Sequence, residues 1–376
     1  MTHRVRGAAR RLAGDATIAL PGWVTARVAV LSVLVFARYL YNHLHATTSK
    51  TTLHQGLLSW DGDWYRRIAE HGYASIPRTG VRFFPLYPLL ARYLAPVFGG
   101  MVSVSLLVLA NGPALLYGIL LARLVRQEGG DEGAAARAAW LVALVPPAFV
   151  LVFGYSEAIA GCLAVGMFIA LRSRRWWWAA AAGYLSGLIR PSGIVLALPA
   201  LIEACRGLRG MSLRDGVARV AAVAAPAAGA GTYLAWVGAR FGKPLLPLQV
   251  QQRSFLRGGY ANPFDALMRA GRAAFNGDFV PNGIHFPMLI VALLLVLVVI
   301  RRWPASYSVY ALVTVVIALS AKRLGSVERY CFTAFPLVLA LVSLTRNRRV
   351  EQSVLVISGV FMAGFATLAV LGLYVP

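Results

Sequence analysis

The chain has 376 residues, 59% of them hydrophobic and only 14% charged, where an ordinary soluble domain has roughly a quarter charged. This excludes a soluble enzyme and leaves apolar sequence for about ten crossings of a hydrocarbon core about 30 Å thick. The formal charge of +23, from 37 Lys and Arg against 14 Asp and Glu, falls between apolar runs and not on a polar face, which argues against a nucleic-acid partner.

In chain order, Arg4, Arg6, Arg10 and Arg11 precede a long apolar run with no small-x-small cleavage site after it. A retained first span is expected, not a removed signal peptide. Spans are predicted at about 22–44, 100–122, 135–153, 156–171, 217–239, 286–300, 304–321, 331–345 and 353–374. The stretch 176–205 is long for one crossing and short for two, and Arg190-Pro191-Ser192-Gly193 lies in its middle. Proline disfavours helix at the residue before it and removes a backbone donor, so a break is expected there.

Short cytoplasmic loops collect Lys and Arg. Treating 176–205 as two short helices meeting at Arg190 puts Arg206, Arg209, Arg214 and Arg219 inside with the other short basic loops. The expected fold is therefore an all-α polytopic membrane protein in a single domain over 1–376, with about 11 membrane segments, the N-terminus inside and the C-terminus outside. Two long outer loops, 45–99 and 240–285, then share one face with the 153–157 turn, the Arg190 break and the 322–330 loop. Cys162, Cys205 and Cys331 are far apart and make neither a disulfide framework nor a zinc site. Only 3 of the 37 basic residues are lysine, a bias that fits a GC-rich bacterial genome.

In the first outer loop, Trp60, Trp64 and Ile68 are spaced i, i+4, i+8 beside Tyr65. This spacing predicts a short interfacial helix with aromatic anchoring. Asp61 at its start suits an N-cap, since Asp is favoured there and acidic groups suit the positive helix end. A second carboxylate at Asp63 is more than a cap needs. Phe83-Phe84-Pro85-Leu86-Tyr87-Pro88 is apolar yet proline-broken, and irregular chain dipping into the interface is expected. At Tyr155-Ser156-Glu157, an ionisable residue where a span re-enters the membrane is a candidate site. Equally, Ser156 could cap a helix that has Glu157 in its first turn.

Arg190, and Lys322, Arg323, Glu328 and Arg329 in the last short outer loop, are the informative charges. Basic residues in an outer loop run against the positive-inside tendency, so a local anion is expected. A lipid headgroup would suffice, and a substrate phosphate would need the same groups. His43 and His45 lack a carboxylate at helical spacing, which leaves a metal pair unsupported.

Trp60-Asp61, then Ile68-Ala69-Glu70-His71-Gly72-Tyr73 and Phe83-Phe84-Pro85-Leu86-Tyr87-Pro88, resemble the PIG-V family, the GPI mannosyltransferase II-like enzymes of the GT-C superfamily. Tyr155-Ser156-Glu157, Leu188-Ile189-Arg190-Pro191-Ser192-Gly193 and Arg329-Tyr330 before Phe335-Pro336 are similar to later motifs of that family in the same order. The likeness runs from about residue 57 to 340, and its first motif pair is the most specific. It implies a GT-C-like fold and a membrane glycosyltransferase that takes mannose from a polyprenyl-phosphate donor on the non-cytoplasmic face. In a bacterium that face is the outer side of the cytoplasmic membrane, and in a eukaryote the lumenal side of the endoplasmic reticulum. The resemblance makes Asp61 the catalytic base and leaves the lipid or glycan acceptor open.

The chemistry agrees with this inventory. Glycosyl transfer needs one carboxylate to deprotonate the acceptor hydroxyl. The leaving lipid phosphate needs cations and no general acid, a part expected of Arg190 and Arg329 with Lys322 or Arg323. Direct displacement would invert a β-linked donor to an α-mannoside. Asp63 and Glu157 are secondary carboxylates for acceptor positioning, with Trp60, Tyr155 and Tyr330 in support. These carboxylates permit a divalent cation such as Mg2+ or Mn2+ without demanding one. The competing class is a transporter or lipid flippase, with the broken pair at Arg190 as an interrupted helix. Against it, no acidic residue lies in the middle of any predicted span and the halves show no similarity.

Overall fold

The computed structural model describes residues 2–44 and 50–376, and among these it is helical with no strand, apart from an isolated bridge between Tyr260 and Ala321. The α-helices are, in chain order, α1 (Thr2–Leu44), α2 (Lys50–Gln55), α3 (Asp61–His71), α4 (Leu86–Leu94), α5 (Val102–Gln127), α6 (Glu132–Leu144), α7 (Glu157–Arg172), α8 (Trp176–Ile189) and α9 (Ala197–Ala204). There follow α10 (Leu213–Phe241), α11 (Leu246–Gln251), α12 (Pro263–Phe275), α13 (His285–Arg302), α14 (Ala305–Leu319), α15 (Val327–Phe332), α16 (Pro336–Leu344) and α17 (Arg348–Val370).

Five of these are long and apolar enough to cross a membrane: Gly14–His43 within α1, α5, α10, α13 and α17. Their outward faces are greasy, as with Val28, Val35 and Phe36 of α1, each more than half exposed. Only lipid could cover such a surface cheaply. The protein is thus a multi-pass membrane protein. The remaining expected spans are present as shorter helices, and helix length does not bear out eleven full crossings.

Proline is the physical reason for the shortening. Pro146-Pro147 end α6 at Leu144 and turn the chain into a 3₁₀ stretch over Pro146–Leu151. The expected break falls at Arg190, which is extended (φ −153°, ψ 146°) between α8 and a 3₁₀ stretch over Pro191–Leu196. Pro336 starts a new helix, so the segment expected over 331–345 is divided between α15 and α16. Where helices begin in polar chain, side chains cap them. Asp131 accepts from the Ala134 amide at 2.6 Å, Ser212 from Asp215 at 3.2 Å and Asn347 from Arg349 at 2.9 Å.

One end of the bundle is tied by a buried network. Arg172 bridges Glu128 at 2.6 Å and Glu203 at 3.4 Å, Ser306 donates to Glu203 at 2.6 Å and Tyr307 to Glu128 at 3.0 Å. These bonds join α5, α7, α9 and α14, and Asp15 ties α1 to Arg123 at 2.8 Å. The middle is held by close backbone approach. A Cβ on Gly187 of α8 would collide with the carbonyl of Pro226 and the amide of Ala230, and one on Gly229 of α10 with the carbonyl of Tyr184. Small residues at such crossings let helices pack by dispersion where no hydrophobic drive separates them from lipid.

Gly187→Ala is expected to push α8 from α10 and cost about 1–3 kcal/mol, read as a lower melting temperature of the detergent-solubilised protein. Gly231→Ala, a glycine of α10 with open space around it, serves as the control and should melt as the wild type does.

Candidate active site

The site forms at the end of the bundle opposite that network, where four segments distant in sequence meet. The first is the turn into α3. Trp60 lies outside the helix with φ 59° and ψ −116°, a conformation that costs a non-glycine residue about 1–3 kcal/mol. Its indole donates to the carbonyl of Ala369 at 3.0 Å, which helps hold the strained residue in place. The turn is strapped to the chain before α7: the Gly154 amide donates to the carbonyl of Leu57 at 2.9 Å, Tyr155 donates to Ser59 at 3.3 Å, and Tyr65 and Ser156 share a hydrogen bond of 2.9 Å.

These straps correct two sequence expectations. Asp61 is the first residue of α3 and no side chain caps that helix; Ser156 stands before α7 but caps nothing, its hydroxyl being taken by Tyr65. The aromatics of α3 also face protein and not lipid. Tyr65 is buried edge-on against Phe83 and Tyr87, and Phe83, Phe84 and Tyr87 are themselves core residues. The proline-broken segment therefore serves as a packing wedge, with Tyr87 donating to the Leu106 carbonyl at 2.7 Å.

The centre is an alternation of two carboxylates and two guanidiniums. Arg329 Nη2 stands 2.8 Å from Asp61 Oδ2, and its Nε is 3.2 Å from Glu157 Oε1, a charge contact without hydrogen-bond alignment. Arg190 pairs with the same Glu157 oxygen. The side chain of Arg329 is 4% exposed and that of Glu157 7%, but that of Asp61 is 21% exposed, so one carboxylate of the centre is open to ligand. Arg329 Nη1 is buried with no hydrogen-bond partner.

Tyr330 completes the centre. The guanidiniums of Arg257, Arg329 and Arg190 lie 4.8, 5.1 and 5.8 Å from its ring, at distances where cations favour an aromatic face. Burial alone would raise the Tyr330 phenol, but Arg329, Arg257 and Arg190 bring it below its ordinary value. For Arg329, burial favours the neutral form and Asp61 and Glu157 more than offset it, so the guanidinium is held well above its usual value. Tyr155, beside Arg329 at 5.3 Å, is raised by burial.

A cavity of ≈1100 Å³ opens on this centre, lined by Asp61, Arg190, Arg329 and Tyr330 and, farther out, by Lys322 and Arg323. The expected residues thus fall into three groups. Asp61, Glu157, Arg190 and Arg329 come together with Tyr155 and Tyr330 at their side. Lys322 and Arg323 share the cavity without touching the carboxylates. Asp63 does not join them: it pairs within α3 to Arg66 and Arg67, at 2.7 Å each. His43 stacks on Tyr39, and His45, the other member of the pair the sequence left unsupported, lies outside the described residues.

Arg257 was not singled out in the sequence. Its signal was the Gly258-Gly259 pair after it, both at positive φ (73° and 87°). That turn lays the segment against the 321–323 strip, with Lys322 donating to Gly259 at 3.2 Å and Arg323 to Arg257 at 3.0 Å through their amides.

A multi-pass helical membrane protein with an enclosed, charged site at one end of its bundle is the class that these features define. Residues 32–208, a little under half of the chain, match the family described as Mannosyltransferase (PIG-V). The matched stretch holds Asp61, Glu157 and Arg190, and Arg329 lies beyond it. No curated protein matches the chain. Among solved structures it is similar to the Archaeoglobus fulgidus oligosaccharyltransferase complexed with zinc and sulfate, at 15% identity over 81% of this chain and 48% of that one, TM-score 0.42. It is also similar to the archaeal oligosaccharyltransferase AglB from the same organism, in complex with an inhibitory peptide and a dolichol-phosphate, at 13% identity over 90% of this chain and 56% of that one, TM-score 0.43. The chain thus spans about half the length of these structures.

Glu157→Gln should strand Arg190 without a counter-charge in a buried setting and cost about 3–5 kcal/mol. Asp63→Asn, which breaks pairs to the more exposed Arg66 and Arg67, should cost about 1 kcal/mol or less. Denaturation of the two variants side by side checks the ranking, and equal losses would contradict it.

Proposed function

We propose that the protein transfers mannose from a polyprenyl-phosphate-mannose donor to a hydroxyl of a lipid or glycan acceptor on the non-cytoplasmic face, with inversion to an α-mannoside and Asp61 as general base. The observation that carries this reading is Asp61 itself: the most exposed carboxylate of the centre, opening on the large cavity and within 2.8 Å of a buried guanidinium. The match to a mannosyltransferase family supports the sugar.

In this reading the acceptor oxygen attacks C1 of the mannose while its proton passes to Asp61. The bond from C1 to the phosphate oxygen breaks, and polyprenyl phosphate leaves with the electron pair. Arg190 and Arg329 stabilise the charge that grows on it, an effect that is large in an enclosed site of low dielectric. Arg329 Nη1, buried and unpartnered, is a donor free for the phosphate. As the phosphate takes up Arg329, that guanidinium loosens its contact with Asp61, and Oδ2 is freed to accept the proton. Donor binding thereby prepares the acceptor's base, and Glu157 keeps the two cations in place.

A divalent cation has no ready seat in this reading. Among the described residues no three His, Cys, Asp or Glu side chains gather into a metal-binding group, and the guanidiniums already take up Asp61 and Glu157. Transfer measured in excess EDTA is expected to match the untreated rate, and restoration by Mg2+ or Mn2+ of a lost rate would show the opposite.

Asp61→Asn should lower turnover by about 10² to 10⁴ while the donor KM stays level or falls, because Arg329 is freed for the phosphate. The assay is transfer of labelled mannose from a defined polyprenyl-phosphomannose in membranes that contain either protein. Wild-type turnover in the variant would remove Asp61 from the role of base.

A further inference from the structure

The central cations are already balanced, since Asp61 and Glu157 carry as much charge as Arg190 and Arg329. Apart from Arg82, which lies over the Trp64 and Phe83 rings, the excess positive charge of the cavity is carried elsewhere on its wall by five residues, Arg257, Arg269, Arg272, Lys322 and Arg323. None of these five has a carboxylate partner among the described residues. One carboxylate, Asp278, also lines the cavity and accepts from Asn282 at 2.7 Å. We propose that these five cations form a second anion subsite, which binds a phosphate carried by the acceptor. The inference rests on the glycosyl-transfer reading, in which Arg190 and Arg329 take the donor's single phosphate.

Three separate elements build the subsite, and each is fixed. Arg257 donates through Nη2 to the carbonyl of Ala318 at 2.9 Å and lies on the Tyr330 ring, while its Nε is buried with no partner. Lys322 and Arg323 are tied to the 257–260 turn by their amides. Arg269 and Arg272 stand three residues apart on α12, hence on one face of that helix. Asn262 caps α12 by accepting from Phe264 at 2.9 Å, and Phe275 packs on Phe286 of α13 with ring centroids 5.9 Å apart. These cations outnumber the one carboxylate beside them in the cavity lining, Asp278, and repel one another until a further anion joins them. Guanidinium forks and an ammonium are the groups that bind phosphate best, the former in two-point contacts and the latter as a point charge. The cavity is continuous from Asp61 to this wall, so an acceptor held by its phosphate there can present a hydroxyl to the base.

The phosphate can belong to a phospholipid headgroup or to a phosphorylated glycan, and two measurements test the subsite and separate these sources. The first needs no turnover: the purified full chain, in phosphatidylcholine nanodiscs, is titrated with glycerol phosphate and separately with polyprenyl phosphate. Arg269→Ala/Arg272→Ala should weaken glycerol phosphate at least about tenfold, the loss of two charge-assisted contacts, and leave polyprenyl phosphate unchanged. No binding of glycerol phosphate to the wild type, equal binding to the variant, or an equal loss of polyprenyl phosphate would overturn the proposal. The second measurement passes the labelled mannosyl product of wild-type membranes over an anion exchanger. Retention is expected, and a neutral product would overturn the proposal. Mild deacylation of a retained product releases the label into water if the acceptor is a phospholipid and leaves its partition unchanged if it is a glycan. Absence of any transfer, with glycerol phosphate still bound at the predicted residues, would count against the glycosyl-transfer reading alone.

Discussion

The guanidinium of Arg329, held between Asp61 and Glu157, is the contact on which the arrangement of this end of the molecule depends. A charge that deeply buried would lose several kcal/mol of solvation if left alone, and here two carboxylates from different helices replace the water. The two come from segments distant in sequence: Asp61 from the turn into α3, Glu157 from the start of α7. Arg190 then shares Glu157, so the broken hairpin of α8 and α9 is drawn to the same point. Removal of Glu157 would leave Arg190 without its carboxylate, whereas Arg329 keeps one carboxylate when either of its two is lost.

Backbone packing supplies the precision that charge alone lacks. Arg190 is at a helix break, and a break could place its side chain anywhere. What sets it is the near contact of Gly187 with α10 and of Gly193 with the carbonyl of Ser186, where any Cβ would collide. The Gly193 amide donates to the Arg190 carbonyl at 3.0 Å and closes the turn. Arg329 is aimed in a similar way from its own side. Its neighbour Glu328 is buried between His285 of α13 and Tyr374, at 2.7 Å from each, so the short helix α15 cannot rotate without breaking both bonds. The strained Trp60 does the same for Asp61. Three of the four central groups are thus located by a local device independent of the ion pairs.

Much of this was legible in the sequence, for a physical reason. Ionisable residues inside so apolar a chain are costly, and those retained mark sites; hence Asp61, Glu157, Arg190 and Arg329 stood out before any coordinates were known. The break at Arg190 was legible because proline acts locally. The separation of Asp63 from Asp61 was also available, since Arg66 and Arg67 stand three and four residues on and give Asp63 its own partners. Other features were hidden. No local rule places a tryptophan at positive φ, and none says that the aromatics of α3 find Phe83 and Tyr87 before they find lipid. The count of eleven segments is not confirmed by helix length for a related reason: prolines within 135–153 and 331–345 divide runs that composition treats as continuous.

The distribution of charge between the two ends gives the site its character. At the far end, Asp15, Glu128 and Glu203 each take one or more arginines, so the buried network there is closed and its energy goes into tying helices together. At the cavity end the same kind of pairing is made, but only among the four central groups. The cations beyond them line the open part of the cavity, where a cleft of one sign of charge focuses the field more than a flat surface would. A membrane protein gains no stability from such a field, because every unpaired cation near another raises the energy of the empty state. The cost is recovered only when anions arrive, and it is largest where the pairs are incomplete. A site of this kind favours anionic ligands that can reach the balanced centre and the unbalanced wall at the same time, with the most exposed carboxylate of the centre, Asp61, at hand.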